Sequence, residues 1–231
     1  MNSFQANLIL LLTALIWGFG FVAQRMGMDH LGPYAFNVCR FLVGALSLLP
    51  LLFFLRKNGS ASSDFNRSFW KFSIFAGFAL FGGATLQQVG IQYTTVGKAG
   101  FITGLYVVIV PILGLCLRQK IGRWTAIGCI LAVLGLYFLS IKQDFSIGWG
   151  ETLVLIGAFF WAVHVQVIGA ANKRNLSPIK LALVQYLVCA ALNFLLSLLF
   201  ETFLFEQVTH ASGAILYAGI VSVGIAFTLQ V

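Results

Sequence analysis

The chain has 231 residues, 60% of them hydrophobic and only 9% charged, with a mean hydropathy of +0.96. A soluble domain carries roughly 25% charged residues and a soluble core of this size could not hide so much apolar surface, so lipid must be the solvent for most of the chain. The formal charge of +8 and the pI of about 9.6 would point to nucleic acid in a soluble protein; here they fit Lys and Arg gathered in cytoplasmic loops, and nucleic acid is not expected as a partner.

Eight apolar runs follow one another, at approximately 8–24, 34–55, 70–91, 99–117, 122–141, 150–170, 179–200 and 212–231. Each reaches or nearly reaches the roughly 20 residues that cross the hydrocarbon as a helix. Helix is required because lipid offers no partners to free backbone groups. The first run, Leu8 to Ala23, lacks a basic leader and a small-residue cleavage site, so it reads as a first span and not a signal peptide. Gly32-Pro33 precedes span 2 and Ser177-Pro178 precedes span 7; a Ser cap followed by Pro in the first turn is a good helix start. Pro111 should kink span 4. The longest polar stretch, 56-RKNGSASSDFNRS-68, is a solvated loop. Cys39, Cys116, Cys129 and Cys189 form no CxxC and read as small core residues, neither disulfides nor metal ligands.

Basic residues set the orientation. Arg56, Lys57, Arg67 and Lys71 fall in loop 2–3, Arg118, Lys120 and Arg123 in loop 4–5, and Lys173, Arg174 and Lys180 in loop 6–7. The opposite side has only Arg25, Lys98 and Lys142, while Glu201 and Glu206 stand in loop 7–8. The positive-inside rule then places the amino terminus in the cytoplasm of a cell inner (plasma) membrane.

The chain also repeats itself. ALIWGFGFVAQ…LGPYAFNVCRFLVGAL in spans 1–2 aligns with AFFWAVHVQVI…LSPIKLALVQYLVCAA in spans 6–7, matching Trp17 with Trp161, Pro33 with Pro178 and Arg40 with Gln185. In span 3, Ala76-Gly77, Gly82 and Gln88-Val89 match Ala218-Gly219, Gly224 and Gln230-Val231. An odd number of spans, five, separates the copies, so the second is inverted relative to the first. Inverted repeats suit alternating access. The expected division is 1–144 for the first five-helix copy and 145–231 for an incomplete second copy with three of five helices. On that reading about 53 further residues and two spans would complete it, and the 231-residue chain would not transport as it stands.

LTALIWGFGFV in span 1, RFLVGALSLLP in span 2, TTVGKAGFITGLYVVIVPILG through span 4 and GWGETLVLIGAFFWAVHV at the start of the second copy together resemble the EamA-type ten-span transporters of the drug/metabolite transporter superfamily. The resemblance covers essentially the whole chain. It implies an all-α polytopic membrane protein, about eight spans of an expected ten, in two inverted five-helix repeats around a central cavity. It also implies carriage of a small metabolite or drug, often outward, and leaves the solute open. The expected partners are the solute and the lipid bilayer, with a homodimer as an open option; no cofactor is expected. A lipid or lipid-carrier flippase is the runner-up. A membrane enzyme acting on lipid carriers would want acids, histidines or a phosphate-binding cluster at one depth, whereas His30, His164 and His210 are scattered without metal spacing and all six acids fall in loops or at span ends. No catalytic or metal residue is therefore assigned.

Candidate substrate-binding residues follow from position. Trp17 and Trp161 occupy equivalent places and either line opposite cavity walls or pack against lipid. His164 shares a face with Gly157, Trp161 and Ile168 near mid-membrane, where an ionisable group is a functional hypothesis by default and a satisfied structural histidine is the alternative. Gln87 and Gln88, with Gln92, cluster at one end of span 3; at least one should face the interior, with interhelical hydrogen bonding as the plainer role. Tyr106 offers a ring and a hydroxyl on the face it shares with Lys98, Ile102 and Ile109. Two residues are secondary candidates. Lys98 sits near the membrane face, where snorkelling would explain it. Arg40, about 10 Å into span 2, has a structural role favoured over contact with solute.

Overall fold

A computed structural model describes residues 3–57, 65–141, 148–202 and 205–229. The middle of the 56–68 loop, Lys142, Asp144, the 144/145 repeat boundary, Gln230 and Val231 lie outside the described residues. All regular structure described is helical: α1 (Ser3–Gly27), α2 (Pro33–Lys57), α3 (Arg67–Tyr93), α4 (Val96–Gly104), α5 (Tyr106–Cys116), α6 (Arg123–Ile141), α7 (Trp149–Asn172), α8 (Pro178–Phe200), α9 (Phe205–His210), α10 (Ser212–Leu216), a π-helix (Tyr217–Ala226) and α11 (Phe227–Leu229). Among the described residues six helical stretches are long and apolar enough to cross a membrane, and Arg123–Gly135 and Ser212–Ala226 are shorter apolar helices. The eight apolar runs thus map onto α1, α2, α3, α4–α5, α6, α7, α8 and α10–π–α11.

Local chemistry sets the ends. Asn66 Oδ1 accepts from Phe69 N at 2.8 Å to start α3, and Thr95 Oγ1 accepts from Lys98 N at 3.3 Å to start α4. The start of α2 is capped by a different helix: Glu201, just past α8, accepts from Tyr34 N at 2.9 Å and Ala35 N at 2.7 Å. Pro178 does open α8, but the Ser177 hydroxyl makes no cap bond; the proline alone organises that turn. At the end of α7 the left-handed Asn175, φ 55°, lets Leu176 N reach back to Ala171 O at 3.3 Å. Span 4 is interrupted at Leu105, whose amide bonds three residues back to Ile102 O at 3.1 Å. The interruption falls after Gly104 and ahead of Pro111, which continues inside α5.

The helices assemble in two similar sets. α3 packs against α7 and α8; α10 and the π-helix pack against α1 and α2; α2 and α8 meet at the centre. The deepest apolar cluster sits there, with Phe41, Leu48, Leu80, Tyr186, Cys189 and Val223. α4 and α5 close over α7, and α6 leans chiefly on α5 with most of its surface exposed. All four cysteines are free, but only Cys189 is fully buried; Cys116 is exposed, because the outer face of α5 is turned away from the bundle.

Polarity runs the opposite way from that of a soluble protein. Asn37, Thr85, Gln88 and Asn193 are buried, while Leu11, Phe19, Leu46, Phe75, Leu195 and Leu198 face outward. Asn193 Oδ1 accepts from Asn37 Nδ2 at 3.1 Å and Thr85 Oγ1 at 3.0 Å, tying α2, α3 and α8 together. Such an apolar exterior would drive aggregation in water, whereas in lipid it is the matching surface and interior polar pairs hold helices together. The protein is a multi-pass membrane protein.

Candidate functional site

Between the two helix sets lies a cavity of about 370 Å³, within the range of small-molecule sites. Trp17, Gln87, Tyr106, Trp161 and His164 all line it, as does Arg40. Gln88 and Lys98 are not among its lining residues. Gln88 follows Gln87 by one residue and so turns about 100° around α3; it is fully buried and donates to Gln24 O at 3.5 Å. Lys98 stands in the first turn of α4, 3.7 Å from Glu151 at the start of α7, in a partly exposed ion pair. Glu151 also accepts from Thr94 Oγ1 and from Gly148 N, so this acid belongs to the end of the bundle.

One wall of the cavity is a hydrogen-bonded chain. Trp161 Nε1 donates to Gln87 Oε1 at 3.0 Å, Thr103 Oγ1 to the same oxygen at 3.4 Å, and Gln87 Nε2 to Gln24 Oε1 at 3.0 Å. Gln24 in turn donates to Gly20 O at 3.0 Å. Gln87 thus joins α1, α3, α4 and α7. On the facing wall Trp17 Nε1 donates to Ser222 O at 3.3 Å; behind it Tyr186, which lines the second space, donates its hydroxyl to Val223 O at 3.1 Å. Both acceptors lie in the π-helix, a form that tends to occur at functional sites.

Phe227 stands between the two tryptophans, its ring 5.3 Å from that of Trp17 and 5.9 Å from that of Trp161. His164 meets both Trp161 and Phe227 edge-on and pairs through Nε2 with Gln185 Oε1 at 2.7 Å. Beyond this layer lies a second space of about 210 Å³ between α7 and α8; His164, Val165 and Phe227 border both cavities.

Sequence reasoning missed Gln24, Thr103, Gln185, Ser222 and Phe227. Gln24 lies seven residues, two helical turns, beyond Trp17 on the same face, which could have found it. Nothing local marks Phe227, whose position comes from the packing of span 8 between the tryptophans.

Chemically, the site offers stacking surfaces, a few polar atoms already committed to each other, and one guanidinium. No group of three or more His, Cys, Asp or Glu among the described residues could hold a metal.

The EamA-like transporter family model matches residues 5–141, more than half of the chain. An "Uncharacterized transporter" of Archaeoglobus fulgidus is 36% identical over 181 residues, covering 78% of this chain and 54% of that protein. "Uncharacterized transporter YoaV" of Bacillus subtilis is 25% identical over 221 residues, covering 93% and 74% respectively. The chain therefore spans about half the length of the first of these relatives and three quarters of the second. A solved crystal structure superimposes with a TM-score of 0.75 at 19% identity, covering 98% of this chain and 77% of that one, which shows the fold alone. With residues 5–141 matched and the bundle as described, the chain belongs to the EamA-like transporter family.

Proposed function

We propose that the protein carries a small solute across the inner membrane, outward, by alternating access, with the cavity between α1, α2, α3, α4–α5, α7 and the π-helix as its binding site. The observation that carries the reading is the position of Trp17 and Trp161, 144 residues apart in sequence, on either side of one ring and one cavity. Two inverted copies, 1–144 and 145–231, would give that cavity two equivalent mouths. Packing supports the repeat. A Cβ placed on Gly77 of α3 would lie 2.6 Å from Val188 Cβ of α8, and one on its counterpart Gly219 would lie 2.7 Å from Val43 Cβ of α2. Val43 and Val188 are themselves counterparts, so the two approaches are the same contact made twice. The amino terminus is cytoplasmic on the basic-loop argument. The outward direction follows from the family resemblance, and no step requires a catalytic residue.

The test is a thermal-shift screen of amino acids, carboxylic acids, nucleosides, sugars and cationic drugs, since a ligand of the folded state stabilises by mass action. A hit should bind at least about tenfold more weakly to Trp17→Ala and to Trp161→Ala. A hit whose affinity neither substitution changes would place the site elsewhere.

A further inference from the structure

Arg40 takes part in neither of the two hydrogen-bonded walls of the cavity. It lies in α2, two turns past Pro33, 4% exposed, and lines the central cavity. Its Nε has no hydrogen-bond partner. The Phe41 ring lies 4.9 Å from the guanidinium carbon, and the Cys189 thiol of α8 is close enough to interact with the charge. Two other cations of the bundle have partners: Arg25 donates to Ile91 O at 3.2 Å, and Lys98 faces Glu151. Among the described residues that line the cavity there is no Asp or Glu. A buried cation without a counter-charge is costly, and the cavity position sets Arg40 against the structural role that the sequence favoured, since an ionisable group inside a membrane bundle is a functional hypothesis by default.

The two halves differ at this point. Gln185 is the counterpart of Arg40, and it is matched by His164 at 2.7 Å. The counterpart of His164, 144 residues earlier, is Gly20, which brings no side chain. The first half carries the charge with its Nε unpartnered and no carboxylate among the described cavity-lining residues; the second half has the neutral, satisfied version of the same pair.

We propose that Arg40 is the anchor for an anionic group on the solute, and that the solute is a small organic acid: a carboxylate on an aromatic or branched apolar body. The inference rests on the reading of this cavity as the solute site. A guanidinium fork matches a carboxylate with two parallel hydrogen bonds. Trp17, Phe21, Tyr106, Trp161 and Phe227 give the body flat apolar walls on which to stack. A solute ammonium would meet Arg40 and no acid, so cations are rejected by charge and zwitterions gain nothing from their second group.

The experiment uses the full chain in lipid nanodiscs and three probes with one body: 3-phenylpropanoate, 3-phenylpropan-1-ol and 3-phenylpropan-1-amine, titrated by calorimetry. The acid should bind at least about tenfold tighter than the alcohol, and the amine most weakly. Arg40→Gln should bring the acid down to the alcohol while leaving alcohol binding within about twofold; Arg40→Lys should retain part of the preference, since it keeps the charge and loses the fork. If Arg40→Gln does not fold, the wild-type ranking and Arg40→Lys still decide. Equal binding of acid and alcohol by the wild type, or an acid preference that survives Arg40→Gln, overturns the assignment of Arg40 and leaves the cavity as the site. Binding of all three probes that Trp17→Ala and Trp161→Ala leave unchanged, or no binding of any probe, removes the cavity reading and this inference with it.

Discussion

Gln87→Leu is the substitution that most sharply tests the polar wall of the cavity. Leucine keeps most of the volume and removes every polar atom. Three bonds go: from Trp161 Nε1 at 3.0 Å, from Thr103 Oγ1 at 3.4 Å and to Gln24 Oε1 at 3.0 Å. Interhelical side-chain bonds in membrane proteins average about 0.6 kcal/mol, with the best near 1.7. The two short ones, each leaving a partner unsatisfied at a buried position, put the cost at about 1–3 kcal/mol, with the long Thr103 bond adding little. The loss should appear as a lower unfolding temperature in nanodiscs and as a changed Trp161 emission in a variant whose other tryptophans are phenylalanine. Solute binding should weaken as well, because Gln87 holds the Trp161 indole in place. Wild-type stability together with unchanged Trp161 emission would show that the hydrogen-bonded wall does not order this site.

Four further outcomes follow from the geometry. Gly77→Ala and Gly219→Ala should destabilise by similar amounts, about 1–3 kcal/mol each, because each Cβ meets a valine of the opposite half within 3 Å, whereas Gly104→Ala, with nothing within 4 Å, should be neutral or mildly stabilising; thermal unfolding of the three variants decides. Glu201→Ala should cost about 1–2 kcal/mol by freeing Tyr34 N and Ala35 N, and amide exchange should rise at the start of α2. Lys98→Met should change stability by less than about 1 kcal/mol and leave solute affinity unaltered, since its partly exposed pair with Glu151 stands apart from the cavity; a tenfold loss of affinity would return it to the site. With the native cysteines replaced, Ser60→Cys should resist an impermeant thiol reagent in intact cells and react after permeabilisation, and ready labelling of intact cells would reverse the orientation.

Spans were legible because lipid imposes one rule on every residue it touches: the runs that became α1, α2, α3, α7 and α8 are apolar for long enough that only a crossing helix satisfies their backbone. The interruption at Leu105 was not, since a proline announces a kink and the pause before it came instead from the Gly104-Leu105 step. The π-helix was hidden for a related reason. Carbonyls at Ser222 and Val223 within it accept from Trp17 and Tyr186, and neither donor is near in sequence. In the site, residues that combine an aromatic ring or ionisable group with a mid-span position stood out: Trp17, Tyr106, Trp161 and His164. Gln87 and Gln88 could not be separated without knowing how α3 is rotated, and that is set by its crossing with α7. Lys98 looked available until Glu151, 53 residues later, was brought beside it.

The central claim is that this cavity opens to one side of the membrane and then to the other, and Val165, which borders both the central cavity and the space beyond it, is the position that reports it. In a cysteine-free background, Val165→Cys should react with an impermeant thiol reagent from either face, in sealed vesicles of right-side-out and inside-out orientation, while Leu198→Cys on the lipid-facing side of α8 reacts from neither. Reaction of Val165→Cys from a single face, unchanged by any ligand, would contradict alternating access through this cavity.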